Sequence, residues 1–284
     1  MNIGMVLSGG MAKGAYQIGA LRALNHFIPF GEMKYMSCAS IGVLNGFAYA
    51  TGRLEQAERM WKNVCNNDTR VIVNRVLRSS FLQRCIGDIC KPEIPLLFPF
   101  YCTLFDLNHR NIVYRDLSSE DADRVQLYLK ASVAMPIYNR AVLIENTEYF
   151  DGAMIDNIPV YPLQKQKLDY MICVYFDDVC YKFENTYFDN KIIKITFPCD
   201  GILKQSLILQ RSSIEGMIKC GYDRAIELLE PVFSKGYEDL EHIYYIIDEK
   251  NQNSKNERFR ITGDVLVTNL NSITSKMAKR KIVS

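Results

Sequence analysis

The stretch from residue 35 to residue 48 constrains the fold most strongly, because it predicts a buried strand that turns sharply into a helix. Residues 35–38 are the end of an apolar strand, residues 39–42 are mostly small, and residues 43–48 begin a helical pattern. A serine at the apex of such a unit has the geometry of a nucleophile elbow, which lifts the hydroxyl above the sheet. The pattern fits equally well a serine that only caps a helix. Ser40 is therefore a candidate nucleophile whose assignment depends on the rest of the chain.

A second strand–loop–helix unit opens the chain. Residues 3–7 predict a buried strand, residues 8–14 form a glycine-rich loop (SGGMAKG), and residues 15–27 have helical spacing. Backbone N–H groups at such a helix start bind anions. Lys13 lies before the last glycine, so the loop is not a P-loop, and Met11 breaks the dinucleotide fingerprint. The loop could hold a smaller charge, such as the oxyanion of an acyl-transfer intermediate, or only pack helix on strand. In the helix, Ile18, Leu21 and Leu24 are predicted to face inward and Gln17, Arg22 and Asn25 outward.

Hydrophobic periodicity predicts the remaining elements. Strands are expected over residues 95–105, 112–115, 142–144, 149–150, 168–176 and 191–197, and helices over residues 53–64, from Ser118 or Ser119 to about 134, and over 205–229 with a break at Gly221. Residues 237–247 fit a helix or a strand, and residues 250–260 a polar loop. Asp151 and Gly152 follow the 142–150 hairpin directly, so the carboxylate is expected at a tight turn where it can face a pocket.

Composition limits the classes of function. The net charge of +2 gives no bias toward nucleic acid, and we expect no nucleic-acid partner. Nine cysteines without C-x-x-C spacing, beside only three histidines, argue against a zinc site and favour a reducing compartment. We therefore expect no metal, no other cofactor and a cytoplasmic location. The N-terminus lacks the basic region of a signal peptide, and no apolar run approaches the roughly 18 residues of a membrane span.

Membrane contact, where it occurs, is thus expected to be peripheral. Residues 69–84 carry four arginines and no acid, with apolar residues at helical spacing, which suits either an anionic membrane surface or an ordinary solvated helix. The basic tail at residues 276–281 suits either anionic lipid or a frayed terminus, and the second is favoured.

Three segments together resemble the patatin-like phospholipase family. Residues 7–21 (LSGGMAKGAYQIGAL) resemble its oxyanion loop, residues 38–46 (CASIGVLNG) its G-x-S-x-G motif, and residues 131–160 its D-G-[GA] motif. Residues 101–119 also resemble the strand–turn–strand of the family. Each motif alone is weak, but the three in this order are specific, and the resemblance spans roughly residues 3–200.

The resemblance implies an α/β fold, a three-layer α/β/α sandwich with a mostly parallel central sheet. It implies one domain over residues 1–284, with core motifs in residues 3–200 and a helical extension over about 201–284. The implied activity is that of a lipid acyl hydrolase, of phospholipase A or esterase type, which cleaves esters of phospholipids or acylglycerols. The implied chemistry is a Ser–Asp dyad with an acyl-enzyme intermediate, without histidine or metal.

Residue by residue, the resemblance makes Ser40 the nucleophile and Asp151 the base that accepts the serine proton and returns it to the leaving alcohol. It assigns the oxyanion hole to backbone N–H groups of Gly10 and Met11, in a loop shaped by Gly9. The implied site is completed by Lys13, where the family has Arg or Lys, by Gly14, and by the elbow and turn residues Cys38, Gly42 and Gly152.

Two residues depart from the family pattern. Cys38 replaces the first glycine of the nucleophile motif, and because cysteine is small we expect the elbow to form with some strain. Met11 replaces the third glycine of the oxyanion loop, so its backbone donation requires that the position does not need a positive φ.

Three other interpretations remain open at this point. Ser40, Asp151 and His242 have the chain order of an α/β-hydrolase triad, although His242 lies in a regular apolar segment. The two departures could instead indicate a family member that binds lipid without hydrolysing it. Nucleotide binding at the glycine-rich loop would predict a thermal shift with ATP or NAD, and none is expected.

Overall fold

The computed structural model describes residues 1–64, 71–72, 80–90, 95–136, 138–176, 190–197, 208–257 and 279–283. The strands are β1 (Ile3–Leu7), β2 (Met33–Ala39), β3 (Val71–Ile72), β4 (Phe100–Asp106), β5 (Asn111–Asp116), β6 (Val142–Ile144), β7 (Thr147–Asp151), β8 (Tyr170–Tyr175), β9 (Ile192–Thr196), β10 (Ile208–Leu209) and β11 (Arg280–Val283). The α-helices are α1 (Gly14–Leu24), α2 (Ile41–Ala50), α3 (Leu54–Asn63), α4 (Ser80–Ile89), α5 (Ala122–Ser132), α6 (Tyr161–Gln164), α7 (Arg211–Leu229) and α8 (Leu240–Glu257), with 3-10 turns at Met11–Lys13 and Gly152–Met154.

Nine strands of the described part of the chain form one sheet. Its order is β11–β5–β4–β2–β1–β8–β9, with β7 joined to β4 and β6 joined to β7. Strands β4, β2, β1, β8 and β9 are parallel to their neighbours along this path, whereas β4 and β5 are antiparallel. Crossovers through α1, α2 and other helices connect the parallel strands, as parallel pairing requires.

Both faces of this sheet are covered. In β1 the side chains of Ile3, Met5 and Leu7 belong to the larger core cluster, which includes residues of α1, α2, α3 and α7. Val6 faces the other way, into a smaller cluster with residues of the segment that contains α6. This alternation explains why the strand is apolar along its whole length. The predicted α/β/α arrangement with a mostly parallel sheet is therefore confirmed.

Strand β4 changes its neighbour halfway along one edge. Its first half pairs with β2, where Ala39 lies opposite Thr103. Its second half pairs with β7 in antiparallel fashion, where Asp151 lies opposite Leu104. Because Thr103 and Leu104 are consecutive, the ends of β2 and β7 meet at one point, and Ser40 follows directly after β2.

Helices α1 and α7 cross at very short distance. A Cβ atom added to Gly221 would lie 2.1 Å from the backbone oxygen of Tyr16, so no larger residue fits there without a shift of one helix. The predicted break at Gly221 is wrong, since α7 runs continuously from Arg211 to Leu229. The glycine serves this close approach instead.

Other local predictions need correction. The strand expected over residues 95–105 begins only at Phe100. Helix α5 is capped neither by Ser118 nor by Ser119, because the carboxylate of Asp121 accepts a hydrogen bond of 2.8 Å from the Arg124 N–H.

The C-terminal part of the chain is also more regular than predicted. Helix α8 continues to Glu257, through most of the expected polar loop. The tail is not frayed over Arg280–Val283, which pairs in parallel with β5. We therefore propose that residues 1–284 form one domain, since the last strand joins the sheet of the N-terminal motifs. The predicted amphipathic segment 69–84 lies mostly outside the described residues.

None of the helices within the described ranges has the length and apolar character needed to cross a membrane.

Candidate active site

Ser40 is the single residue between strand β2 and helix α2. Strand β2 ends at Ala39, α2 begins at Ile41, and Ser40 itself has φ 52° and ψ −131°. Its backbone oxygen accepts a hydrogen bond of 2.8 Å from the Val43 N–H, which closes the first turn of the helix. A positive φ is strained for a residue with a side chain, and such strain is typical of functional turns. The local geometry is that of a strand–turn–helix elbow.

Cys38, where strain was expected, lies in extended backbone within β2. Its φ is not positive, and its side chain is fully buried. The thiol packs beside Gly46 of α2, where an added Cβ would lie 2.6 Å from the sulfur. Burial raises the pKa of the Cys38 thiol far above its ordinary value. The positive φ therefore falls on Ser40 and not on Cys38.

Asp151 is the last residue of β7. It lies at the point along β4 where β7 replaces β2 as the neighbouring strand. The side chain is 2% exposed, and its carboxylate accepts a hydrogen bond of 2.9 Å from the Ala153 N–H. Burial raises the pKa of Asp151 from 3.8 to about 7, while hydrogen bonds from the Ser40 side chain and from the Ala153 backbone oppose the rise. The structure thus brings Ser40 and Asp151, which are 111 positions apart in sequence, close enough together for the serine side chain to favour the ionised carboxylate.

The glycine-rich loop lies on the other side of Ser40. A Cβ atom at Gly9 would lie 2.8 Å from the Ser40 Cβ and 2.5 Å from Asn157 Oδ1, so only glycine allows this approach. Within the described residues, no group accepts a hydrogen bond from the N–H of Gly10 or of Met11. These two backbone donors therefore have no partner within the described part of the chain.

Met11 has a positive φ, the conformation that is unfavourable for a residue with a side chain. Its φ is 50°, in the left-handed region, which costs a non-glycine residue about 1–2 kcal/mol. The residue begins the 3-10 turn that leads into α1, and that turn is closed by a hydrogen bond of 3.0 Å from the Lys13 N–H to the Gly10 oxygen. The loop keeps its compact form despite the missing third glycine.

The other predicted residues surround these groups. Gly14 is the first residue of α1, Gly42 lies in the first turn of α2 against the carbonyls of Leu7 and Ser8, and Gly152 starts the 3-10 turn after Asp151. The ammonium of Lys13 lies 6.0 Å from the ring centroid of Phe176, which also packs on Gly10.

The three histidines have partners elsewhere. His26 Nε2 lies 3.0 Å from the Tyr222 hydroxyl, and His109 Nδ1 lies 2.8 Å from the Asp106 carboxylate. His242 Nε2 lies 2.8 Å from Ser234 Oγ, at the connection of α7 with α8. None of these described contacts involves Ser40 or Asp151, so the geometry gives no support to a Ser–Asp–His triad.

The burial or the contacts of several polar residues near the site were not predicted from the sequence. Gln17 is fully buried rather than outward, because Asn45 of α2 and the Ser8 carbonyl satisfy its amide. Asn45 is buried as well. Asn157 contacts Gly9 from the turn that follows Asp151, and its place close behind the D-G pair was the one available signal.

The comparison with protein families decides the assignment. The sequence model of the family described as patatin-like phospholipase matches residues 5–163, more than half of the chain. The chain belongs to the patatin-like phospholipase family. The predicted family membership is confirmed, and it supports the predicted hydrolase class. The matched range contains the elbow, the glycine-rich loop and Asp151.

This patatin-like chain is also similar to the lysophospholipase NTE1 of Mycosarcoma maydis. The two are 28% identical over 174 residues, which are 56% of this chain and 9% of the relative. The chain therefore spans about a tenth of the length of that curated protein.

Among solved structures, VipD from Legionella pneumophila is similar at 13% identity and a TM-score of 0.48, over 81% of this chain and 67% of VipD. ExoU, in its complex with SpcU from the type III secretion system of Pseudomonas aeruginosa, is similar at 13% identity and a TM-score of 0.39, over 95% of this chain and 66% of that one. Likeness at this level assigns no residues.

Proposed function

We propose that this protein is a lipid acyl hydrolase, of phospholipase A or esterase type, with Ser40 as its nucleophile. The observation that carries the proposal is the placement of Ser40, at the end of β2, beside the buried Asp151 carboxylate, at the end of β7, with the glycine-rich loop against the Ser40 Cβ. Family membership supports the reaction class. The name of the similar protein, lysophospholipase NTE1, supports phospholipid esters as the substrate class, and acylglycerol esters are the alternative.

The buried carboxylate suits the role of a general base. An ordinary aspartate is too weak a base to activate a serine efficiently, whereas a pKa of about 7 matches neutral pH. As Ser40 Oγ attacks the ester carbonyl, its proton passes to Asp151, which then protonates the departing alcohol oxygen. Asp151 next takes a proton from water, whose oxygen attacks the acyl-enzyme, and returns that proton to Ser40 Oγ as the fatty acid leaves.

The negative charge of each tetrahedral intermediate needs donors beside Ser40. The N–H groups of Gly10 and Met11 have no acceptor among the described residues and come from a loop that touches Ser40. Helix α2 begins at the next residue and adds the positive end of its dipole. Preorganised donors of this kind are worth a factor of about 10²–10³ each in turnover.

Contact with lipid is proposed to be peripheral, at a cytoplasmic membrane surface. Met154 lies three residues after Asp151 in the chain and is 63% exposed, so this segment presents an apolar side chain to its surroundings. The described cysteines form no disulfide, as suits a reducing compartment; they are Cys38, Cys85, Cys90, Cys102, Cys173 and Cys220.

A fluorophosphonate probe tests the nucleophile directly. We expect covalent labelling of the wild type and none of Ser40→Ala, with loss of labelling matched by loss of ester hydrolysis. Mass spectrometry of lipid products, comparing wild type with Asp151→Asn, tests the base and identifies the ester cleaved. Folded wild-type protein that neither labels nor releases fatty acid would refute the proposal and favour a lipid-binding role.

A further inference from the structure

A chain of buried hydrogen bonds joins three helices to the glycine-rich loop. Trp61 Nε1 donates to Asn45 Oδ1 over 3.0 Å, and Asn45 Nδ2 donates to Gln17 Oε1 over 2.9 Å. Asn45 Nδ2 also donates to the Gly14 oxygen, and Gln17 Nε2 donates to the Ser8 oxygen over 2.7 Å. The side chains of Gln17 and Asn45 are fully buried, and Trp61 is 4% exposed. None of these three side chains takes part in the proposed reaction.

The direction of every bond in this chain is set at one end. An indole N–H can only donate, so it requires the oxygen of the Asn45 amide to face Trp61. The Asn45 NH₂ group must then face Gln17, and the Gln17 NH₂ group must face the Ser8 carbonyl. A buried network in which each group has a partner holds a single arrangement.

The Ser8 carbonyl belongs to the first peptide unit of the glycine-rich loop. A peptide unit is planar, and in the trans form its C=O and N–H point in opposite directions. Gln17 holds the oxygen of the Ser8–Gly9 unit, and the N–H of the same unit donates to the Asn157 oxygen over 3.3 Å. The plane of this unit is therefore fixed at both ends.

The next peptide unit carries the Gly10 N–H, a proposed oxyanion donor. Its oxygen, on Gly9, accepts a hydrogen bond of 3.0 Å from Ser8 Oγ and one of 3.4 Å from Asn157 Nδ2. Holding this oxygen aims the N–H on the opposite side of the unit. Because the hydroxyl and the carbonyl belong to the same residue, the bond from Gln17 to the Ser8 oxygen also restrains the hydroxyl that contacts Gly9.

We infer that Gln17, Asn45 and Trp61 are positioning residues that orient the donors of the oxyanion hole. This inference rests on the proposed function, in which the Gly10 N–H stabilises the oxyanion. The three side chains touch no reacting atom; they act through the peptide units of Ser8–Gly9 and Gly9–Gly10. Their effect is to hold the donors in place before substrate binds, which is where electrostatic catalysis gains its advantage.

The variant Gln17→Met tests the inference, because it keeps the side-chain length and removes the bond to Ser8. We expect turnover per active site, counted by fluorophosphonate titration, to fall about tenfold to a hundredfold, up to the loss seen when one oxyanion donor is removed. KM should stay within about twofold of wild type, because ground-state binding does not use this donor. The probe should react more slowly but to the same final extent.

The matched control is Thr51→Val, at the far end of α2. It removes a buried hydrogen bond of 2.8 Å to the Phe47 oxygen and should lower the melting temperature while leaving turnover per active site unchanged. A purely structural role for Gln17 predicts the same behaviour for Gln17→Met, and that result would overturn the inference.

If Gln17→Met does not fold, Trp61→Phe decides, since it keeps most of the ring packing and removes only the N–H that sets the bond directions. A loss of turnover with unchanged KM supports the inference, and wild-type turnover in this variant overturns it. Failure of the proposed function has a different signature, because wild type and Ser40→Ala would then behave alike.

Discussion

Replacement of Asp151 by asparagine should stabilise the folded protein while abolishing its activity. The carboxylate is 2% exposed, and burial raises its pKa from 3.8 to about 7. In the folded state it therefore holds a proton that the unfolded chain releases in the window between these two values. Stability falls as pH rises through that window, because the unfolded state gains free energy by ionising this carboxyl while the folded state keeps it protonated. Asparagine carries no such cost.

The size of the effect follows from the same shift. One pKa unit corresponds to about 1.36 kcal/mol, so the full cost of the Asp151 charge is about 4 kcal/mol at pH 8. About 3 kcal/mol of this appears between pH 5 and pH 8. The stability advantage of Asp151→Asn should grow by that amount over this range, and should be small near pH 4.

Chemical denaturation at several pH values measures this difference. The single tryptophan, Trp61, is buried and reports on unfolding by its fluorescence. Asp248→Asn, which removes an exposed carboxylate, controls for the change in net charge. A difference between Asp151→Asn and wild type that stays constant from pH 5 to pH 8 would refute the claim that burial keeps this carboxyl protonated.

Three further outcomes are expected. Ester hydrolysis, measured as kcat/KM, should rise with pH, reach half its maximum near pH 7 and then level off, because only ionised Asp151 can accept the serine proton; a profile flat from pH 5 to 9 would contradict this. Gly221→Ala should lower the free energy of unfolding by about 1–3 kcal/mol or more, because its Cβ would meet the Tyr16 oxygen, whereas Gly216→Ala in the same helix has open space and should raise it by up to about 1 kcal/mol. His242→Ala should retain wild-type turnover, since the described partners of the imidazole are Ser234 and Pro231. A large loss of turnover would instead support a Ser–Asp–His triad.

The elements that the sequence predicted best are those whose pattern is local. The strand over residues 3–7 coincides with β1, and the strand–turn–helix around Ser40 coincides with β2 and α2. Strands β8 and β9 are parallel, as their content of Ile and Val indicated. Each of these strands is a continuous apolar run because both of its faces are buried in the sheet. This pattern is visible within a single segment of the sequence.

The wrong predictions have a different cause: each concerns a residue whose environment depends on a hydrogen-bond partner far away in the sequence. Gln17 is polar yet buried, because Asn45 and the Ser8 carbonyl satisfy its amide. The polar stretch after residue 250 remains helical while Lys250 donates to the Leu228 oxygen and Asn251 accepts from Lys194. Periodicity counts apolar residues and contains no information on such hydrogen bonds. The contact between Ser40 and Asp151 likewise depends on the change of neighbours along β4, which no local pattern shows.

The elbow shows how the fold tolerates the loss of its first glycine. Cys38 belongs to β2 and is fully buried in extended backbone, so it needs no unusual conformation. The strained residue is Ser40, and a strained conformation persists only where the surroundings determine it. Pairing of Ala39 with Thr103 fixes the backbone before it, the bond from the Val43 N–H fixes the backbone after it, and Gly9 lies against its Cβ. The turn therefore needs glycine at Gly9, in another segment, and at Gly42, but not at the position two residues before the serine.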